Sequence, residues 1–268
     1  MPQIFYTANQ YIGQYSHINT ANEQSVTCRK IDIYRAIITV GTPSFLTWKD
    51  INQQGLFRAL SNSIIQKVLL VQANIDSSPN GMKLHPSFHQ QVSDLKRVVS
   101  YNLGMAFAKI YAEKLLEIPN LIHVETLKKS DVITFHNTAG KRREPDLVGL
   151  TADGSWHVFE AKGVSTNQLK RKIKDAKEQA SEVDTIHGTP PSTLSACATY
   201  FGTQKIISRI EDPESKRRKK LEIKRQEYLK TYYNPFFALK SGLMSQPKKS
   251  RFHDINYFGH DIVTNKLR

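Results

Sequence analysis

The chain reads as an α/β protein of the α+β variety, with a mixed central sheet flanked by helices. Three observations predict that class. Residues 86–120 place apolar side chains at helical spacing. Short runs of β-branched and apolar residues occupy 121–163 and recur at 192–201. Between them, residues 167–186 return to a polar, helix-type pattern. Helix, three or four strands, helix, strand is an order that builds a sheet covered by helices. With 268 residues, one large core, or a core with a smaller attachment, is within reach.

Element by element, KIDIYRAIITV (30–40) is rich in β-branched residues, alternates partly, and predicts a strand ended by Gly41-Thr42-Pro43. IIQKVLLVQANI (64–75) predicts a strand or a buried helix. Pro79, Asn80 and Gly81 then break the chain, and a soft boundary falls there. The long helix is read from Pro86, suited to a first turn, through Phe88, Val92, Leu95, Val99, Leu103, Phe107, Ile110 and Leu115. LIHVETL (121–127) and DVITFHN (131–137) predict strands, and TAGKRRE (138–144) a basic loop. PDLVGLT (145–151) and SWHVFEAKG (155–163) predict a hairpin. Residues 167–186 predict a helix, STLSACATYF (192–201) and KIISRI (205–210) strands, and 214–233 a charged helix. Three segments follow: an accessory part at 1–84 for substrate reading or oligomerisation, a core at 85–211, and a basic helical extension at 212–268 packing on that core.

Charge narrows the partners. Lys and Arg number 38 against 24 Asp and Glu, a formal charge of +14. Such a field favours an anionic partner. Two cysteines, Cys28 and Cys197, rule out a disulfide framework and a four-cysteine metal site. The opening MPQIFYTANQYIGQ lacks the basic end and apolar run of a signal peptide, and no run approaches 18 apolar residues. The expectation is a cytoplasmic protein with no membrane partner.

The hairpin carries the chemistry. Ala152-Asp153-Gly154 fits a three-residue loop with glycine at the left-handed position. That register sets Thr151 against Ser155, Val148 against Val158 and Asp146 against Glu160. Side chains alternate along a strand, so Asp146, Glu160 and Lys162 share one face at the open end. A two-residue Asp153-Gly154 turn would instead oppose Ala161 to Asp146, and would need a bulge to bring the acids together. Two carboxylates side by side repel, and a divalent cation offsets that repulsion. Oxygen ligands suit Mg²⁺, which also takes waters and phosphate oxygens. With a lysine on the same face, the arrangement suits metal-assisted phosphodiester hydrolysis.

Pro145-Asp146 followed by Glu160-Ala161-Lys162 resembles the PD-(D/E)XK nuclease superfamily, the restriction-endonuclease-like fold. The resemblance covers residues 95–201. It implies that Asp146 and Glu160 hold Mg²⁺ (Mn²⁺ substituting), that the Ala161 carbonyl faces the ion, and that Lys162 positions or activates the attacking water. It also implies a glutamate on the preceding helix, for which Glu113 is chosen over Glu117, and polar residues on the following one, Gln168 or Gln179.

Basic residues flank the motif: Lys141, Arg142 and Arg143 before it, then Lys170, Arg171, Lys172, Lys174 and Lys177 on the next helix. With Lys216, Arg217 and Arg218 they suit phosphates around a scissile bond. The expectation is an endonuclease acting on DNA rather than RNA, in a mobile-element or antiviral defence setting. The alternative is a non-catalytic nucleic-acid-binding or assembly protein with the same fold. One chain carries one motif, so a concerted double-strand cut would require a homodimer or partner subunits. His85, His89, His123, His136 and His157 read as structural, as do the cysteines and Ser195. No GxxxxGK[ST] loop is present, so ATP hydrolysis is not expected.

Overall fold

Alternation and helical spacing, followed through to burial, settle the elements. The computed structural model describes residues 1–40, 48–78, 80–137, 144–166, 168–216 and 219–245. In chain order these form β1 (Gln3–Asn9), a 3-10 turn, β2 (Thr20–Thr27), α1 (Lys30–Val40), α2 (Trp48–Gln54), α3 (Leu56–Leu60) and, after a π turn, α4 (Gln66–Asn74). Then come β3 (Ile75–Ser78), β4 (Gly81–Leu84), a 3-10 turn at Pro86–Gln90, α5 (Ser93–Leu115), β5 (Asn120–His123), α6 (Val124–Lys129) and β6 (Ile133–Asn137). The hairpin strands are β7 (Leu147–Leu150) and β8 (Trp156–Val164). The chain continues through α7 (Leu169–Ala180), β9 (Val183–Ile186), β10 (Thr193–Phe201), β11 (Ile206–Glu211), β12 (Lys219–Ile223) and α8 (Arg225–Ser245).

The class is the α/β one expected: a mixed seven-stranded sheet, order β2-β1-β11-β10-β8-β7-β5, with helices on its faces. β1 runs parallel to β11 and β10 parallel to β8, while the other neighbours are antiparallel. A three-stranded sheet, β6-β12-β9, lies apart from it in pairing. On one face Leu147, Phe159 and Ala161 pack with α1 and α5 around Ile33, Ile37, Phe107 and Tyr111. On the other, Val148, Val158 and Leu194 meet Leu221 and Ile223 of the small sheet and Tyr228 of α8. Ala196 and Ala198 meet Ile173 and Ala176 of α7 on the same side of the molecule as the acids. The soft boundary near residue 84 does not separate two cores among the described residues, since Ile4, Ile33 and Leu84 share one apolar cluster with Phe107 and Phe159.

Several elements differ from expectation. Residues 30–40 are a helix, not a strand: Ile33, Ala36, Ile37 and Val40 are buried at positions i, i+3, i+4 and i+7. Burying Ile33, Ile37 or Val40 is worth about 1.5–3 kcal/mol, against a few tenths for a β-branched residue's reluctance to be helical. Residues 64–75 take the helical option, and β3 and β4, on either side of the expected break, pair antiparallel. The run at 121–127 is a strand only to His123, whose Nδ1 accepts the Glu125 amide at 3.1 Å and caps α6. Residues 219–223 are a strand inside the expected charged helix: Lys219, Leu221 and Ile223 are buried while Lys220 and Glu222 are exposed, a period of two. Residues 183–186, expected to end a helix, pair instead as β9. On α5 the apolar face is buried from Val99 onward, while Val92 and Leu95 are exposed.

The crossing of α5 over β8 is a backbone contact. A Cβ on Gly163 would lie 1.8 Å from the Ser100 carbonyl oxygen, and one on Gly104 would lie 2.7 Å from the Gly163 nitrogen. Two glycines thus let helix and strand touch where β8 leaves the motif.

Candidate active site

The turn that sets the hairpin register is the one the sequence predicts. Gly154 has φ 91°, its amide bonds the Thr151 carbonyl at 3.1 Å, and Thr151 N–H donates to the Ser155 carbonyl at 3.1 Å. Val148 faces Val158 and Leu147 faces Phe159. One step further, Asp146 and Glu160 brace each other through the backbone. The Asp146 amide donates to Glu160 Oε2 at 3.1 Å, and the Ala161 amide donates to Asp146 Oδ2 at 3.0 Å.

Lys162 closes the group. Its ammonium bonds Glu160 Oε1 and stands 3.8 Å from Asp146 Oδ2. It also donates to Gln179 Oε1 at 3.4 Å, and Gln179 Nε2 donates to the Glu144 carbonyl at 2.9 Å. α7 comes close enough because Ala196 and Ala198, the β10 neighbours of Glu160 and Lys162, are small and pack on it. Glu160 is fully buried. Burial, and then the charge of Asp146, push its carboxyl well above the ordinary range. Burial alone would lower the Lys162 ammonium, but the Glu160 and Asp146 charges outweigh it and hold the amine above its usual value.

Other sequence-selected residues fall elsewhere. Glu113 pairs with Arg35 at 2.6 Å and with Lys109 at 3.0 Å. α5 meets β8 near Gly104, so Glu113 lies about 13 Å further along the helix at about 1.5 Å per residue. The expected helix glutamate is therefore not brought to the acids. Gln168 faces Arg171 instead of Lys162. The basic set divides. Lys172 lines a cleft with Lys162, whereas Lys170, Lys174, Lys177 and Lys216 line a different depression with Arg209. Lys141, Arg142, Arg143, Arg217 and Arg218 lie outside the described residues.

Three residues near the acids were not selected from sequence. Tyr101 on α5 bonds His123 Nε2 at 2.9 Å. Because His123 Nδ1 accepts the Glu125 amide, the neutral ring carries its proton on Nε2 and donates it to the Tyr101 oxygen, leaving the phenolic hydrogen for another acceptor. Burial, with Asp146 and Glu160 nearby, raises the Tyr101 phenol, and burial lowers His123, which stays neutral at pH 7. Lys219 is 2% exposed, its Nζ has no hydrogen-bond partner among the described residues, and the charges of Glu182, Glu144 and Glu160 act on it at longer range. Tyr101 hides in a helix-period pattern, and Lys219 in a run of lysines whose alternation alone distinguishes it.

His157 is structural, on the face opposite the acids. Its Nδ1 meets Thr193 Oγ1 at 3.1 Å, and burial lowers its pKa to about 4 from 6.5. The unfolded chain therefore binds this proton first on acidification. Stability is fully present above pH 6.5 and is lost as pH falls toward 4, a contribution of roughly 3 kcal/mol. The His157 ring should titrate near pH 4 by NMR, and a midpoint above 6 would contradict this placement.

Among the described residues no group of three or more His, Cys, Asp or Glu side chains stands together to hold a metal ion. The protein part of any such site here is a pair of carboxylates. None of the described helices is long and apolar enough to cross a membrane. Compared with protein-family models, curated proteins and solved structures, the chain matches none.

Proposed function

We propose that the chain is a metal-dependent endonuclease of the restriction-endonuclease-like, PD-(D/E)XK kind, hydrolysing phosphodiester bonds in DNA. The observation that carries this reading is the clustering of Asp146, Glu160 and Lys162 on one sheet face, with Gln179 against the lysine. A buried Glu160 set against a half-buried Asp146 has no evident structural purpose, since an apolar pair would cost less to bury. The preference for DNA rests on the family resemblance, as does a mobile-element or defence setting.

The donor set fits Mg²⁺ or Mn²⁺. Hard oxygens from one or two carboxylates, completed by water and substrate phosphate, are what Mg²⁺ takes from a protein. Asp146 and Glu160 would hold the ion, with the Ala161 carbonyl in the role the resemblance gives it. Bound there, the ion supplies Lewis acidity toward a phosphoryl oxygen and a lower pKa for an attacking water. Lys162, held between both carboxylates, keeps its proton and presents positive charge to a phosphate oxygen or to that water. Gln179 fixes the ammonium from the α7 side. A concerted double-strand cut would require a second copy of the chain, since each copy carries one such site.

The test incubates the full chain with circular, linear and single-stranded DNA and with RNA, in Mg²⁺, Mn²⁺ or chelator. Metal-dependent cleavage that Asp146→Asn removes is expected. Metal binding should also raise the thermal midpoint of the wild type and not of Asp146→Asn; ligation at a hundred times Kd adds about 2.7 kcal/mol. Salt-sensitive DNA binding with no cleavage and no metal response would favour a non-catalytic binding protein instead.

A further inference from the structure

Beside Lys162, where β8 passes under α5, lies an open cleft of about 490 Å³. One wall is a single face of α5: Ser93, Lys96, Arg97, Ser100 and Tyr101, at positions i, i+3, i+4, i+7 and i+8. The floor is the end of β8, and Lys172 of α7 adds a cation opposite. Among the described residues no carboxylate lines it. Asp94 and Asp175 pair with Arg97 at 3.4 Å and Lys172 at 3.2 Å outside the lining, as surface contacts worth little.

A second observation is independent of charge. Ser100 is 5% exposed and its Oγ has no hydrogen-bond partner among the described residues. A helical serine ordinarily bonds the carbonyl one turn back, and a buried hydroxyl left unbonded costs about 1–3 kcal/mol. Hydroxyls and cations without carboxylates, around an unused donor, describe a seat for an oxyanion.

We infer that this cleft holds the phosphate next to the scissile one on a single polynucleotide strand, with Lys96, Arg97 and Ser100 as its contacts. The inference rests on reading the neighbouring acids as a phosphodiester-cleaving site. It names the path by which the strand leaves that site, along the first two turns of α5. Lys162 stands at the junction, reaching the acids on one side and the cleft on the other.

The experiment reads binding, not cleavage. Fluorescence anisotropy follows a labelled oligothymidylate on the full chain in chelator, across a salt series. Lys96→Ala/Arg97→Ala should weaken binding at least tenfold and flatten the salt slope by about 1.4, at about 0.7 per phosphate contact on a single strand. Arg58→Ala/Lys230→Ala, removing equal charge elsewhere, should change neither. Ser100→Ala should weaken binding with the slope unchanged and without loss of thermal stability. Wild-type affinity in the Lys96/Arg97 variant would overturn the inference. So would inorganic phosphate displacing the oligonucleotide at equal phosphate concentration, which would mark a free-phosphate site. If strands bind here but are never cut under any metal, the nuclease reading falls and the cleft stands. If cleavage proceeds while the cleft variants bind normally, the reverse holds.

Discussion

Lys162→Ala is expected to abolish cleavage and weaken the fold, whereas Glu160→Gln abolishes cleavage and strengthens it. Both remove a member of the acid–acid–lysine group, so cleavage should fall by about a hundred- to a thousandfold, the scale of losing one group that stabilises transition-state charge. Their effects on stability diverge because Glu160 is fully buried and its carboxylate depends on the Lys162 ammonium. Removing the ammonium leaves an uncompensated buried charge. Breaking such a pair costs about 3–5 kcal/mol, and the lower end applies because roughly a quarter of the Lys162 side chain is exposed. Glutamine at 160 carries no charge to bury and no repulsion toward Asp146. pH gives the sign independently. The Glu160 carboxyl is raised in the folded chain above its ordinary 4.5, so the folded state binds the proton more tightly. Its contribution is fully present below pH 4.5 and is lost as pH rises through the folded value. Urea denaturation at pH 5 and pH 8 should find wild type losing stability with rising pH, Lys162→Ala losing more, and Glu160→Gln losing less. Equal pH dependence in all three would show that Glu160 is not held as described.

Among the described glycines, Gly163 should be the one least tolerant of an added methyl group. The added carbon would sit 1.8 Å from the Ser100 oxygen and 2.6 Å from its carbonyl carbon. These are backbone atoms of a 23-residue helix, with no flexible tip to swing aside. α5 must shift or tilt, dragging Lys96, Arg97 and Ser100 with it. Overpacking of this kind costs about 3 kcal/mol or more, which is about 6–12 °C in Tm at this chain length. Gly104→Ala, with its nearest neighbour at 2.7 Å, should cost less. A Tm within 2 °C of wild type for Gly163→Ala would mean that α5 does not cross there.

The site was more legible than the fold around it. Ala152-Asp153-Gly154 fixes a three-residue turn, the turn fixes the register, and the register places Asp146, Glu160 and Lys162 on one face. Each step is local chemistry. α1 was not legible, because its β-branched residues suggest a strand and only its packing against α5 favours a helix. The same holds for β12, where six basic residues between 216 and 224 mask an alternation that matters only once β6 and β9 flank it. Glu113 shows the converse. A carboxylate on the right helix is readable, but the crossing point of that helix is set by Gly104 and Gly163, and those glycines place Glu113 beside Arg35.

The parallel pairing of β1 with β11 has a consequence for how the chain comes to be folded. Ala8 lies opposite Ile210, so the two strands are about 200 residues apart along the chain. During synthesis at about 5–20 residues per second, β1 waits about 10–40 seconds for its partner. Until then it can pair only with β2, and its other edge is an unpaired template for a neighbouring chain. Joining ends so far apart is an entropically slow closure. The β8–β10 pair that carries Glu160 and Lys162 spans far fewer residues and can assemble earlier. The acid–lysine hairpin thus precedes the strand that completes its sheet, and expression at lower temperature or with a chaperone should favour soluble protein over aggregate.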